Sequence, residues 1–129
     1  MRLTVIGCSG SFPGPESAAS CYLVEANGFR LVLDMGNGAL AALGRTIDIY
    51  SIGAIALSHL HPDHCLDLCG FYVLRKYHPS GQQPRLPVYG PSGTGERMTR
   101  AYEPPDGAVL VAAAGDSSPL VRRAAATAP

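Results

Sequence analysis

The sequence lacks an excess of either charge, because its ten basic residues are balanced by ten acidic ones. Proteins that bind nucleic acids usually carry a basic excess, or a stripe of Lys and Arg along one face. Because neither feature is present, we expect a nucleic acid partner to be less favoured than a small molecule.

Long apolar stretches are also missing. The longest one near the C-terminus, Ala108–Ala114, is far shorter than the ~18 residues needed to cross a bilayer. Residues 1–7 contain only a short apolar segment interrupted by Thr4, which does not make the hydrophobic region of a signal peptide. We therefore expect a cytoplasmic protein that does not enter a membrane.

The few cysteines, Cys8, Cys21, Cys65 and Cys69, are not closely paired in the sequence. Cys65 and Cys69 are four residues apart, so their thiols would share one face of a helix. Such a pair could bind a metal ion, but a buried, reduced cysteine is the commoner outcome inside cells. We therefore predict reduced, structural thiols.

Strand signals recur along the chain. The length of 129 residues predicts one domain, covering residues 1–129. Asn27-Gly28 lies between two β-forming runs and predicts a hairpin. The predicted strands are Arg2–Ile6, Cys21–Glu25, Phe29–Leu33, Ile52–Leu57, Leu86–Tyr89 and Ala108–Ala113. With the intervening helices they predict a layered α/β architecture.

Helical patterns occupy three of the connections between these strands. Ala39–Leu43 predicts a short helix that ends at Gly44. A longer helix is predicted from Asp63, where apolar residues recur at three- and four-residue spacing. Its apolar positions are Leu66, Cys69, Val73 and Tyr77. A third helix is predicted over Ser92–Tyr102, with Ser92 as its N-cap.

Four side chains with metal-binding chemistry follow the predicted strand Ile52–Leu57. They lie in the segment Ser58–His64, which we call the histidine turn, at positions His59, His61, Asp63 and His64. A connection from a strand to a helix can direct all four side chains into one small volume. Imidazole nitrogen and carboxylate oxygen are the ligands that Zn²⁺ and other first-row metal ions accept. The pattern therefore predicts a metal site, and a second neighbouring ion would need more ligands from elsewhere.

The histidine turn resembles the His-x-His-x-Asp-His signature of the metallo-β-lactamase superfamily. Further segments that fit the family are Thr4–Ser11, Ser20–Leu23, Leu31–Gly36 and Val88–Pro91. Together they resemble the ribonuclease Z-like branch and, within it, the small bacterial cyclic-nucleotide phosphodiesterases. The similarity extends over residues 2–102, and we expect the tail, residues 103–129, to diverge from the family or to be truncated.

The resemblance implies an αββα sandwich, of which this chain carries the N-terminal part or an incomplete version. A complete site in the family holds two Zn²⁺ ions, with Mn²⁺ as an alternative. By motif position, His59 and His61 would bind the first ion, while Asp63 and His64 would bind the second. Asp63 would also orient the attacking water or take a proton from it.

Two more aspartates match family positions. Asp116, in Gly-Asp-Ser, resembles an aspartate that bridges both ions, although a simple turn is an equal alternative. Asp34 matches an aspartate that supports the histidine turn through hydrogen bonds, with a plain strand-end residue as the alternative. The family supplies two further histidine ligands, whereas the only histidine after the turn here is His78, which we expect in a surface loop.

The implied activity is hydrolysis of a phosphodiester bond by metal-activated water, on a small substrate of the cyclic-nucleotide type. A thioester or lactam hydrolase on the same fold is an alternative, because a fold alone does not set the substrate. A second alternative is a non-catalytic half-domain that needs a partner. A tRNA 3′-processing endonuclease is less favoured, because the charge of the chain is balanced. We expect the chain alone to be a poor catalyst and to form a homo-oligomer or bind a partner chain.

Overall fold

The computed structural model describes residues 1–102, and all elements below belong to that part of the chain. Along the chain they are β1 Arg2–Gly7, β2 Cys21–Ala26, β3 Phe29–Leu33, α1 Ala39–Thr46, a 3-10 turn Ile49–Ser51, β4 Ala54–Ala56, α2 Pro62–Cys65, α3 Leu68–Lys76, β5 Val88–Tyr89 and α4 Thr94–Tyr102. The predicted strand Ala108–Ala113 and Asp116 lie outside the described residues.

The five strands form one mixed sheet in the order β1-β2-β3-β4-β5. The first three strands are antiparallel, and β4 and β5 run parallel to β3. The predicted hairpin joins β2 and β3 through Asn27 and Gly28, whose φ angles of 50° and 78° suit a tight hairpin turn. Because β3 and β4 are parallel neighbours, the loops that leave their carboxyl ends emerge side by side. Those loops begin at Asp34 and at the histidine turn.

One face of the sheet is buried beneath the helices. Residues paired across neighbouring strands share a face, and one such row consists of Leu23, Val32, Ile55 and Val88. All four are almost fully buried, as are Leu43 of α1 and Phe71 of α3 in the same core cluster. The helices therefore cover this face and supply most of its hydrophobic contacts.

The opposite face of the sheet is apolar but more open. Its central row contains Val5, Tyr22, Leu33, Ala56 and Tyr89, one from each strand. Val5 is 56% exposed and Tyr89 is 42% exposed, in contrast to the adjacent buried row. Residues 1–102 thus build one sheet with helices on one side, which is half of the expected αββα arrangement.

Three helix predictions need correction. α1 continues through Gly44 to Thr46, since the Ile47 N–H still donates to the Leu43 carbonyl at 2.9 Å. The helix predicted from Asp63 is broken between α2 and α3. α4 begins at Thr94, so the predicted N-cap at Ser92 is also wrong.

The break between α2 and α3 has a tertiary cause. The Asp67 N–H donates to the Met35 carbonyl at 3.1 Å, and the Met35 N–H donates to the His64 carbonyl at 2.7 Å. These bonds replace the helical hydrogen bonds that would have joined the two segments. The buried face differs from the predicted one: α3 buries Leu68, Phe71, Tyr72 and Arg75, while Leu66, Val73 and Tyr77 of the predicted stripe are exposed. Within residues 1–102, no helix is long and apolar enough to cross a bilayer.

Candidate metal centre

The histidine turn leaves the carboxyl end of β4 and enters the short helix α2. Leu57, immediately before it, still donates its N–H to the Tyr89 carbonyl at 2.7 Å, which holds the start of the turn to the sheet. Pro62 occupies the first turn of α2, a position that needs no N–H donor. This geometry brings His59, His61, Asp63 and His64 to one edge of the sheet.

The four predicted ligand side chains lie next to one another. The ring centroids of His59 and His61 are 4.8 Å apart, and those of His59 and His64 are 3.9 Å apart. The Nε2 atom of His64 is 3.2 Å from Oδ2 of Asp63. None of the four is fully buried, so an ion could reach the cluster from solvent.

Asp34 organises this cluster from the adjacent loop. Its carboxylate is buried and accepts three hydrogen bonds at 2.7 Å, from the Ser58 N–H, the Ser58 hydroxyl and Nδ1 of His64. Its backbone is left-handed, with φ of 59°, a conformation that Asp and Asn adopt more readily than most residues. The expectation that Asp34 supports the histidine turn through hydrogen bonds is confirmed.

The contact with Asp34 also determines which nitrogen of His64 can bind an ion. An ionised carboxylate only accepts hydrogen bonds, so Nδ1 of His64 must carry a proton. A carboxylate bonded to one ring nitrogen of a histidine is the usual support for metal binding at the other. Nε2 then faces the Asp63 carboxylate at 3.2 Å. Two acceptors at this distance repel each other unless a proton or a metal cation lies between them.

The donor set fits a first-row metal ion in chemistry, because three imidazoles and one carboxylate are present. Among residues 1–102, however, no three His, Cys, Asp or Glu side chains are arranged to hold one ion together. The imidazole rings pack on each other and His64 contacts Asp63 directly. Side-chain rotation would be needed to aim the donors at a common point.

The other candidate residues are separate from this cluster. His78 packs its ring edge-on against Tyr50, with centroids 4.7 Å apart, and its Nδ1 accepts the Ser80 N–H at 3.1 Å. Cys65 and Cys69 are free thiols, as predicted. Burial raises the pKa of both above its ordinary value, which disfavours the thiolate that metal binding requires.

Sequence reasoning overlooked the role of two residues beside the turn, Gly36 and Asp67. Gly36 lies against the main chain of Asp63, and Asp67 accepts a hydrogen bond from the N–H of Leu40 at 2.9 Å. The sequence did contain a signal for Gly36, because Asp34-Met35-Gly36 directly follows a predicted strand. No local pattern connects Asp67 with Leu40, because the contact depends on how α1 and α3 pack.

Curated proteins with sequences similar to this chain come from Mycobacterium and Bacillus. Uncharacterized protein Rv1339 of Mycobacterium tuberculosis is 49% identical over 110 residues, which cover 84% of this chain and 40% of that protein. The probable metallo-hydrolase YhfI of Bacillus subtilis is 33% identical over 93 residues, which cover 70% of this chain and 38% of YhfI. The chain thus spans about 40% of the length of these curated relatives.

Solved structures agree with these sequence matches. The metallo-β-lactamase-fold protein YhfI superposes with a TM-score of 0.65 and 32% identity, over 71% of this chain and 38% of YhfI. The short form of human tRNase Z superposes with a TM-score of 0.71 and 26% identity, over 86% of this chain and 43% of that protein. The prediction of the metallo-β-lactamase fold, present in part, is confirmed.

The family model of the Anti-Pycsar protein Apyc1 matches residues 1–92, which include β1 to β5 and the whole histidine turn. The chain therefore belongs to the Apyc1 family, on a metallo-β-lactamase fold.

Proposed function

We propose that this chain provides the histidine turn of a metal-dependent phosphodiester hydrolase. The observation that carries the proposal is the position of His64, whose ring lies between the carboxylates of Asp34 and Asp63. The Asp34 carboxylate orients the ring, as the partner of a metal-bound histidine does, and the Asp63 carboxylate lies beside the nitrogen that would bind the ion. The relatives support the general class, since YhfI is named a probable metallo-hydrolase.

The proposed ligands are His59 and His61 for one ion, and Asp63 and His64 for a second. Zn²⁺ is the favoured ion and Mn²⁺ the alternative, because both accept imidazole and carboxylate donors. When bound, such ions neutralise charge on a phosphoryl oxygen and lower the pKa of water toward ~7. Asp116 is proposed as a bridging ligand on its motif alone, since it lies outside the described residues.

Asp63 has a second proposed role in the reaction. Its main chain is held in place because its carbonyl accepts the Ser20 N–H at 3.1 Å. Its side chain is partly exposed, with 18% of its surface accessible to solvent, so a substrate could reach the carboxylate. We expect this carboxylate to orient the attacking water and to accept its proton at an Oδ atom. No side-chain nucleophile is required.

A small phosphodiester, such as a cyclic nucleotide, is the proposed substrate. The net charge of zero argues against a long polyanion, because contacts with many phosphates need many basic residues. A relative at 26% identity is by name a tRNase, which favours phosphodiester over thioester or lactam chemistry. Small-molecule binding needs only a few polar groups beside the ions.

The open face of the sheet supports a partner. Leu3 is 62% exposed and Val5 is 56% exposed, and both lie on β1, which is an edge strand among the described residues. Monomeric proteins rarely leave a contiguous apolar surface and an unpaired strand edge open to water. We propose that a second copy of the chain or another polypeptide covers this face in the active protein. That polypeptide would also bring the missing metal ligands.

The test is an activity assay on the chain with added Zn²⁺ or Mn²⁺, using bis-p-nitrophenyl phosphate and cyclic AMP. We expect weak turnover, well below the enzyme median of about 10 s⁻¹. Asp63→Asn should lower the rate by about 10²–10⁴-fold beyond its effect on metal content. Asp48→Asn, at an exposed helix cap, is the matched control. Normal turnover in Asp63→Asn would refute the role of Asp63, and hydrolysis of a thioester or lactam alone would refute the substrate class.

A further inference from the structure

Two residues that donate nothing to the proposed ions hold the histidine turn in position. We infer that Gly36 and Asp67 are positioning residues, which set the backbone of Asp63 and His64 and thereby the affinity for metal. The inference rests on the proposed function. Its physical basis is a set of contacts between the loop after β3 and the segment that contains the ligands.

Gly36 allows the closest of these contacts. A Cβ atom at this position would lie 1.9 Å from the Asp63 carbonyl oxygen and 2.5 Å from its carbonyl carbon. Both are main-chain atoms, so no side chain can rotate away to make room. Ordinary van der Waals contact begins at 3.4 Å, which means that the Asp63 backbone would have to move by ~1.5 Å. Metal–ligand distances tolerate changes of only about 0.2 Å.

Backbone hydrogen bonds on both sides of Gly36 hold the same contact together. The Gly36 N–H donates to the Ser20 carbonyl at 3.0 Å, and the Ser20 N–H donates to the Asp63 carbonyl at 3.1 Å. Met35 donates its N–H to the His64 carbonyl at 2.7 Å. Movement of Asp63 would therefore strain several bonds at once. The carbonyls of Asp63 and His64 are thus held by Ser20 and Met35, and Ser20 is held in turn by the Gly36 N–H.

Asp67 anchors the other end of the segment. Its N–H donates to the Met35 carbonyl at 3.1 Å, while its carboxylate accepts the Leu40 N–H at 2.9 Å. Leu40 lies in the first turn of α1, whose N-cap, Gly38, has no side chain to bond the free N–H groups of that turn. Asp67 supplies that cap from a distant part of the chain. It links α1 to the helix break that directly follows the ligands.

Binding of Co²⁺ by the 129-residue chain tests this inference, because the visible spectrum of bound Co²⁺ reports ligand geometry as well as affinity. Gly36→Ala should weaken Co²⁺ binding by at least about tenfold and change the spectrum of any Co²⁺ that remains bound. Gly44→Ala, where an added Cβ meets open space, should leave both unchanged. Gly53→Ala, where the Cβ would meet the Phe29 ring at 2.4 Å, should also leave the spectrum unchanged, because that exposed side chain can move aside.

Asp67 provides a second pair of variants. Asp67→Ala should lose about tenfold in affinity for Co²⁺, whereas Asp67→Asn should lose less, because its amide oxygen can still accept the Leu40 N–H although its NH₂ group cannot accept the Gly38 N–H. If Gly36→Ala does not fold, the two Asp67 variants alone test the inference. Wild-type Co²⁺ binding with unchanged affinity and spectrum in Asp67→Ala would then overturn the inference, as would an unchanged Gly36→Ala that folds. Absence of Co²⁺ binding by the wild-type chain would instead refute the proposed function.

Discussion

Replacement of Asp34 by asparagine should weaken metal binding without removing any proposed ligand. Nδ1 of His64 donates to the Asp34 carboxylate at 2.7 Å, which in the neutral ring directs the unprotonated Nε2 toward the proposed ion. In Asp34→Asn the amide oxygen would retain the Ser58 N–H, and the amide NH₂ would face the imidazole. That NH₂ can bond Nδ1 only if the proton moves to Nε2, where it blocks a metal ion.

The magnitude follows from the loss of this oriented tautomer. Loss of such outer contacts typically costs 10–100-fold in metal affinity, which corresponds to about 1.4–2.7 kcal/mol. The free energy of unfolding without metal should also fall by about 1–3 kcal/mol, because the three charge-assisted hydrogen bonds to the carboxylate become neutral or are lost. Asparagine tolerates the φ of 59° at this position, so backbone strain should add little.

Competition with a chromogenic chelator would measure the Zn²⁺ affinity of the wild type and of Asp34→Asn. Thermal unfolding of both proteins in excess chelator would measure their stability without metal. Asp48→Asn is the matched control, since an asparagine can still accept the Tyr50 N–H that Asp48 accepts at 3.0 Å. Equal Zn²⁺ affinity in Asp34→Asn and wild type would mean that Asp34 does not orient a metal-binding His64.

Three further predictions concern the thiols, an ion-pair network and the open face of the sheet. With a thiol reagent at about pH 8, the exposed Cys8 should react in the native protein. Cys21 should react only after unfolding, because burial raises its pKa to about 12. Rapid labelling of Cys21 in the native protein would contradict this. Hydrogen bonds from Arg30 and Arg2 lower the pKa of Glu25, so its ionised form stabilises the fold above its unfolded pKa, and that stability is lost as pH falls through the lower folded pKa. Glu25→Gln should therefore lower Tm near neutral pH, with a difference that shrinks below about pH 4, and a difference independent of pH would refute the explanation. In light scattering, the wild type should self-associate and a Leu3→Lys/Val5→Lys double variant should do so less; a monodisperse wild-type monomer would count against a covered face.

Local signals predicted the parts of the fold that depend on neighbours in sequence. Asn27-Gly28 identified the hairpin because few other pairs adopt two positive φ angles readily. The histidine turn was recognisable because its ligand-type residues lie within one strand-to-helix connection. The supporting role of Asp34 came from the resemblance to a family rather than from any local pattern.

Tertiary contacts decided what local patterns could not. The helix predicted from Asp63 is interrupted because Asp67 bonds to Met35, a partner that lies more than thirty positions away in the sequence. Most of the apolar stripe expected to define the buried face, namely Leu66, Val73 and Tyr77, is exposed. Helical spacing alone favoured Leu66 and Val73, whereas the fold buries Leu68 and Phe71. The single-domain prediction for residues 1–129 stays a prediction, because the described structure ends at residue 102.

The metal content of the purified chain shows whether the histidine turn binds metal. After incubation with Zn²⁺ and exhaustive dialysis, elemental analysis would compare the wild type with a His59→Ala/His61→Ala double variant. Circular dichroism would establish that both proteins are folded. We expect Zn²⁺ to be retained by the wild type and largely lost from the double variant. Equal Zn²⁺ content in the two folded proteins would contradict this expectation.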